Sequence, residues 1–429
     1  MENCLLIIKV AKRTFLIIII VTIFYKEKNL QLNLINIGYF CNSLKNGGVE
    51  RVISLLINLL SQEKNFIHYL ITREGKLKGE YSIPKKTKRI TLIDSGTSLI
   101  EAIQINHINI LIYNLYDKTE IKLLNQLKKV KIIYYDHSSI FYWLYKKKIF
   151  RDTIYYEYKN CDYVISLVPL ENDYLFKKWG INSILMDNPI TFEYDLVKPS
   201  DLKYKKIIMI GRAEDTRKRF KLGIYAMEFI VKAIKECEMN IISYQEQKLK
   251  KLIKRLSLEK NVRFVGYHKN IELYLKNSSL HILPSLTEAY PMVLSETKIF
   301  GIPSIICGLD YIALANKGTV IIYDDNPETI AKETIKILND YNYRKQLGRE
   351  ARQSMAKHKN SLIKKRWIKL ISLLYKGKKL QILKKNENRI KMTEKEAKTI
   401  LQNQLILLKK RKPFFKQLSL EKLINYSII

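Results

Sequence analysis

The chain has 429 residues, an apolar fraction of 47% and a formal net charge of +35. That length allows two or three domains with separate cores, and the apolar share is that of an ordinary globular protein. Five widely spaced cysteines (Cys4, Cys41, Cys161, Cys237, Cys307) with no C-x-x-C pair argue for a reducing compartment and against a disulfide framework or a zinc site. A charge this large calls for nucleic acid, an anionic membrane surface or anionic small molecules as partners. The basic residues are interleaved with apolar ones, and no helix-turn-helix, zinc-finger or RNA-binding signature stands out. Membrane surface is the expected partner and no nucleic acid; a basic nucleic-acid-binding protein is the rival reading.

Residues 1–30 form an apolar extension. Its run from Thr14 to Tyr25 is about 12 residues, short of the roughly 20 a membrane-spanning helix needs. It resembles a signal-peptide core, but Lys26-Glu27-Lys28 follows in place of a small-residue cleavage site. A weak membrane anchor and an over-long start assignment, with the true start near Leu30, are both open.

The first strand of a fold is expected at Leu32–Gly38, followed by a loop with Gly47-Gly48 and a helical pattern over Val52–Leu60. Strand, glycine-rich turn and helix open many nucleotide-type α/β domains, because glycine lets backbone approach a ligand. Strand-like runs recur at Ile67–Thr72, Ile108–Tyr113, Lys131–Tyr135 and Tyr163–Leu167, several separated by helical stretches. Alternation of this kind predicts a parallel, doubly wound sheet. His137 falls at the carboxyl end of the strand at Ile132; a lone histidine there is either structural or a wall of a site.

The first domain is expected over residues 31–190, with a polar linker over 191–203 that contains Pro199-Ser200-Asp201. A second α/β unit over 204–360 opens at Lys205–Arg212, and three cations, Arg217, Lys218 and Arg219, fall within about a turn of a helix at Leu222–Ile234. Those cations read either as a solvated basic loop or as a clamp on a diphosphate, Arg as a planar fork and Lys as a point charge. Strands are expected at Asn240–Ser243, Val262–Val265, Leu280–Leu283, Ser304–Cys307 and Thr319–Tyr323.

The stretch after Leu283 carries the most chemistry. A buried strand stops at Pro284, a polar loop follows, and Pro291 marks the first turn of a helix bracketed by Glu288 and Glu296. Free amides at such a helix start attract anions, so two carboxylates there need a reason. Either Glu288 caps the helix and Glu296 is solvated, or the amides take a phosphate while the carboxylates hold hydroxyl groups. A closing helix is expected over 361–375 and a basic tail over 376–429; from Tyr375 onward there are 15 Lys and Arg against four Glu. The Ile400–Leu408 run and Phe414-Phe415 point to amphipathic helix in that tail.

Four patches agree in order and spacing with one family: Gly47-Gly48-Val49-Glu50-Arg51, His137 after an apolar strand, Gly211-Arg212 with a Lys a few residues on, and Glu288 to Glu296 as E-x7-E. Over residues 31–375 the chain resembles glycosyltransferase family 4, whose members have the GT-B fold and retaining activity. The resemblance implies two Rossmann-like, doubly wound α/β domains facing a cleft, acceptor side first and nucleotide-sugar side second, with the basic helical C-terminal tail beyond them. It implies a hexose passed from a uridine or guanosine diphosphate sugar, as co-substrate with no cofactor or metal, to a saccharide or lipid-linked saccharide. The expected setting is surface polysaccharide or glycoconjugate synthesis, cytoplasmic and peripheral at the cytoplasmic face of the membrane.

By the same resemblance Arg212 and Lys218 bind the donor diphosphate and Glu296 the ribose hydroxyls. Glu288 lies near the transferred sugar's reacting carbon, with His137 reaching that sugar from the other domain. Amides around Pro291-Met292-Val293-Leu294 touch sugar hydroxyls and phosphate, and the Gly47-Gly48 loop sits beside the diphosphate and acceptor. The chain departs from the pattern at the cation, where Arg217 holds the usual place and Lys218 follows it, so either fits the clamp. It departs again at Ser243-Tyr244-Gln245, where a glycine-rich turn is common, and at Tyr290, where Phe or Gly is common. A nucleotide-sugar epimerase or hydrolase of the same fold is the alternative.

Overall fold

The computed structural model describes residues 34–378 except 46, 116, 140–147, 245 and 269, together with 395, 399, 400, 402–404, 406 and 407. The N-terminal extension and most of the basic tail, Phe414-Phe415 included, lie outside the described residues. Seven strands make the first sheet: β1 (Ile35–Cys41), β2 (Phe66–Thr72), β3 (Lys88–Thr91), β4 (Ile110–Tyr113), β5 (Lys131–Tyr135), β6 (Tyr163–Ser166) and β7 (Ser183–Leu185). Their order is β3-β2-β1-β4-β5-β6-β7, and every recorded pairing is parallel. Runs such as Ile110–Tyr113 are buried throughout, as strands covered on both faces must be.

The second sheet has six strands: β8 (Lys206–Ile210), β9 (Glu238–Ile242), β10 (Val262–Phe264), β11 (Leu280–Leu283), β12 (Ser304–Cys307) and β13 (Thr319–Ile322). They run in the order β10-β9-β8-β11-β12-β13, again all parallel. Two doubly wound domains thus face one another.

Four helices place the site. α1 (Gly48–Leu60) buries Val52, Ile53, Leu56, Ile57 and Leu60, the spacing of one apolar stripe. α2 (Met292–Ile299) follows β11, with Pro291 at its N-cap. α3 (Tyr341–Ser354) lies against α2, and Arg344 on it donates to the carbonyls of Leu202, Ile337 and Leu338. α4 (Asn360–Tyr375) returns to the first domain, against α1 and β4. Its Trp367 is completely buried, 5.3 Å between ring centroids from Tyr135. Asn360 pins the return: its Oδ1 accepts from Ile190 N (2.9 Å) and its Nδ2 donates to Ile190 O (3.0 Å).

Several expectations shift. Among the described residues the first strand runs Ile35–Cys41, past the expected end at Gly38, because Tyr39, Phe40 and Cys41 are buried and pair on into β2; Leu32 and Asn33 lie outside the described residues. The edge strands β3 and β7 and helix α3 were not anticipated. They are short or mainly polar, so periodicity is faint. Of the tail, Gln404 Nε2 donates to Gly308 O (2.6 Å) and Asp310 Oδ1 (2.8 Å), and Asn403 Nδ2 to Asp310 Oδ2 (3.1 Å). That stretch therefore lies on the second domain. No described helix is long and apolar enough to cross a membrane.

Lys298, in the last turn of α2, is fully enclosed. Its Nζ donates to Asn316 Oδ1 (2.7 Å), Lys317 O (3.0 Å) and Ser354 Oγ (3.5 Å). Burial first, then the Lys357 charge, lowers its pKa from 10.5 to about 7.

Two outcomes are expected. Trp367→Ala, which empties a fully buried site, lowers stability by about 3–5 kcal/mol in urea unfolding. Between about pH 7 and 10.5 the unfolded chain binds more protons at Lys298 than the folded one, so this group makes stability rise with pH by at most about 1.4 kcal/mol per unit. Lys298→Met removes that rise, read as the difference in unfolding free energy between wild type and variant across the interval.

Candidate active site

The carboxyl ends of both sheets open on one cavity of about 650 Å³. On the first-domain wall, Gly47 is the N-cap of α1 and Glu50 folds back beneath it. A Cβ added at Gly47 would lie 1.5 Å from Glu50 Oε2, whereas one at Gly48 would meet nothing within 4 Å among the described residues. The Glu50 carboxylate thus fills the place a side chain at Gly47 would take, and Gly48 leaves the wall open. Burial raises the Glu50 pKa, against the pull of a hydrogen bond to its own backbone and the Arg212 charge.

His137 sits just beyond β5, its ring 4.4 Å from that of Tyr135. Asn114, just beyond β4, spends its amide hydrogens on Phe40 O (3.1 Å) and Ile112 O (3.2 Å). Its Oδ1 then accepts from His137 Nε2 at 3.0 Å, so the ring carries its proton on Nε2 and keeps a bare Nδ1. Burial pushes the His137 pKa down to about 3. The imidazole is neutral at physiological pH and is an acceptor at Nδ1, not a cation.

On the second-domain wall, β8 ends in Gly211 with φ +155°, a conformation that favours glycine. Beyond it Arg217 grips Asp215 with a planar fork (Nε to Oδ1 2.9 Å, Nη2 to Oδ2 2.7 Å). Arg212 reaches the same carboxylate at 3.6 Å and keeps 55% of its side chain exposed. Lys218 points instead to Glu288, Nζ to Oε1 2.6 Å. The two candidate clamp residues thus differ: Arg217 is committed within its own loop, and Lys218 reaches across to the carboxylate before α2.

Glu288 does not cap α2, whose N-cap Pro291 has no side-chain partner. Its N–H donates to Tyr311 Oη (3.2 Å), which donates to Thr287 Oγ1 (3.2 Å), and Thr287 lies 2.8 Å from Ser139 Oγ on the first domain. Pro291, Met292 and Val293 line the cavity, and the first amides of α2 have no intrahelical acceptor. Tyr244 and Tyr267, at the ends of β9 and β10, stack at 5.2 Å with planes 12° apart. Among the described residues no group of three or more His, Cys, Asp or Glu is placed to hold a metal.

Ten of the sequence-derived candidates meet at this cavity: Gly47, Gly48, His137, Arg212, Arg217, Lys218, Glu288, Pro291, Met292 and Val293. Two do not line it. Leu294 is buried and its N–H is taken by Pro291 O (3.0 Å), because it lies on the core side of α2's first turn. Glu296 is 0% exposed, neither solvated nor on the wall; Arg51 Nη2 holds its Oε1 at 2.5 Å and Thr191 Oγ1 at 2.7 Å. Reading by sequence gave no role to Arg51, Asn114 or Tyr311. For Arg51 the available signal was a cation one turn into the helix that starts at the Gly-Gly loop.

The profile of the family described as glycosyl transferases group 1 matches residues 193–354. An uncharacterized glycosyltransferase of Haemophilus influenzae is 29% identical over 146 residues, 33% of this chain and 41% of that protein. The GalNAc-alpha-(1->4)-GalNAc-alpha-(1->3)-diNAcBac-PP-undecaprenol alpha-1,4-N-acetyl-D-galactosaminyltransferase of Campylobacter jejuni is 26% identical over 252 residues, 57% of this chain and 68% of that one. The chain thus aligns with less than half of the first relative's length and about two thirds of the second's. Among solved structures, sucrose-phosphate synthase from Thermosynechococcus elongatus superposes with a TM-score of 0.67 at 15% identity, over 80% of this chain and all (100%) of that one. HepE of Anabaena, in complex with UDP and glucose, gives 0.64 at 15% identity over 78% and 99%. These likenesses give the fold, GT-B.

The His137 geometry makes a prediction. Asn114→Asp sets a carboxylate against the ring and raises the His137 pKa. The rate of the reaction run at this cavity then falls as pH drops through the new value, a limb absent from wild type between about pH 5 and 8. A pH–rate profile of the two proteins reads it.

Proposed function

For a chain whose second domain belongs to the group 1 glycosyltransferases and whose fold is GT-B, we propose a retaining, metal-independent hexosyltransferase. The donor is a uridine or guanosine diphosphate sugar, and the acceptor a saccharide or lipid-linked saccharide of surface polysaccharide synthesis. The observation that carries the reading is the pairing of Lys218 with Glu288 at the mouth of α2, opposite a neutral His137. Cation, carboxylate, helix N-terminus and neutral acceptor then surround one space sized for a sugar and its diphosphate.

The reaction breaks the bond between the anomeric carbon and the phosphate oxygen, and its electron pair leaves on the diphosphate. Lys218, Arg212 and the amides of Met292 and Val293 are the groups within the cavity that stabilise this departing charge, a term often the largest in catalysis. The acceptor oxygen attacks from the same face, and its proton passes to the departing phosphate oxygen. Positive charge growing on the sugar ring meets the Glu288 carboxylate. His137 Nδ1 accepts from a sugar hydroxyl without adding a cation of its own.

Association with the cytoplasmic face of a membrane rests on the tail, where 15 Lys and Arg face four Glu. Juxtamembrane cations contribute roughly 1 kcal/mol each at an anionic surface. The undecaprenol-linked acceptor in the name of the Campylobacter relative points the same way.

The test is a panel of UDP- and GDP-hexoses incubated with the full chain, with and without saccharide acceptors and with EDTA present. Transfer that survives EDTA and yields a product of retained anomeric configuration by NMR is expected. Lys218→Ala lowers kcat/KM by on the order of 10²-fold or more. Transfer left intact by both Lys218→Ala and Arg212→Ala removes the site, and nucleotide release that never glycosylates an acceptor makes the protein a hydrolase.

A further inference from the structure

The ion pair of Arg51 and Glu296 joins three separate pieces of chain: α1 of the first domain, residue 191 of the crossing segment and α2 of the second domain. Glu296 is completely enclosed, and Arg51 and Thr191 both bind the same oxygen, Oε1. Oε2 is buried and has no hydrogen-bond partner among the described residues. A sealed carboxylate oxygen with no donor carries a desolvation cost that a native structure keeps only for a reason. Arg51 itself is 18% exposed and lines the cavity beside Gly47 and Gly48.

The geometry points to Arg51 as the positioning residue for Glu296, making nucleotide binding depend on the two domains being together. This rests on the reading of the cavity as a donor site. Arg51 occupies one carboxylate oxygen and so turns the other into the acceptor left over for a hydroxyl of the donor's ribose. Arg51 rides on the first domain, so separating the domains withdraws it and unseals Glu296. Bringing them together re-forms the pair around whatever hydroxyl has reached Oε2. The ribose thereby acts as part of the contact between the domains, although Arg51 need not touch it.

A double-mutant cycle tests this. UDP and GDP are titrated calorimetrically into wild type, Arg51→Ala, Glu296→Ala, the double variant and Arg51→Lys, with the melting temperature of each measured without nucleotide. Arg51→Ala weakens binding of the recognised nucleotide about tenfold or more, since a buried charge loses its partner. The double variant then binds no more weakly than Glu296→Ala alone, Arg51→Lys recovers part of the loss, and Arg51→Met stands in if the alanine variant fails to fold. Two losses that multiply in the double variant overturn the proposal. So does an Arg51→Ala or Arg51→Met protein that melts earlier yet binds nucleotide as wild type does. Wild type binding neither UDP nor GDP sinks the donor-site reading and this proposal with it, whereas independent losses in a wild type that binds sink this proposal alone.

Discussion

Parallel strand pairing is the constraint from which the rest follows. Each parallel strand must be reached by a crossover on the far side, so every carboxyl end emerges on one edge of its sheet. With two such sheets facing edge to edge, loops after β4, β5, β8, β9, β10 and β11 converge on a single cavity. Residues as distant in sequence as Asn114, Lys218 and Glu288 become neighbours through topology, before any of their own interactions is counted.

The electrostatics run against the chain's overall charge. A protein of net +35 keeps three of its cavity cations closely partnered: Lys218 with Glu288, Arg217 with Asp215, Arg51 with Glu296. Such pairing holds long side chains in place ahead of a ligand, which lowers the conformational cost of binding. It also means that an anionic ligand reaching Lys218 has to compete with a resident carboxylate. The exposed Arg212 is the less committed cation, and a natural first contact.

Legibility in the sequence tracked burial and punctuation. The Ile-rich central strands β4, β5 and β8 declared themselves as unbroken apolar runs, and the loops after β8 and β11 through Gly211, Pro284 and Pro291. β3, with Lys88 and Arg89, and the three-residue β7 carry too little periodicity to be seen. Within the site, Glu288 and Lys218 lie on punctuated loops and were readable. Burial of Glu296 was not, because its partner Arg51 comes from another domain. Asn114 was hidden for a similar reason: its role is to fix the tautomer of a histidine 23 positions away. Pairings made only by tertiary folding leave no local pattern.

The return of α4 to the first domain carries a temporal consequence. By packing, Trp367 and the helix around it belong with β4 and α1, so the first domain is discontinuous and the second is an insert within it. During synthesis the first sheet leaves the ribosome with the Tyr135 side of its core uncovered. At about 5–20 residues per second the cover arrives on the order of ten seconds later. The inserted domain's two ends meet at residues 190 and 360, which couples closure of the insert to docking of the helix. Completion of the first domain's core therefore waits on a helix made only after the second domain's chain.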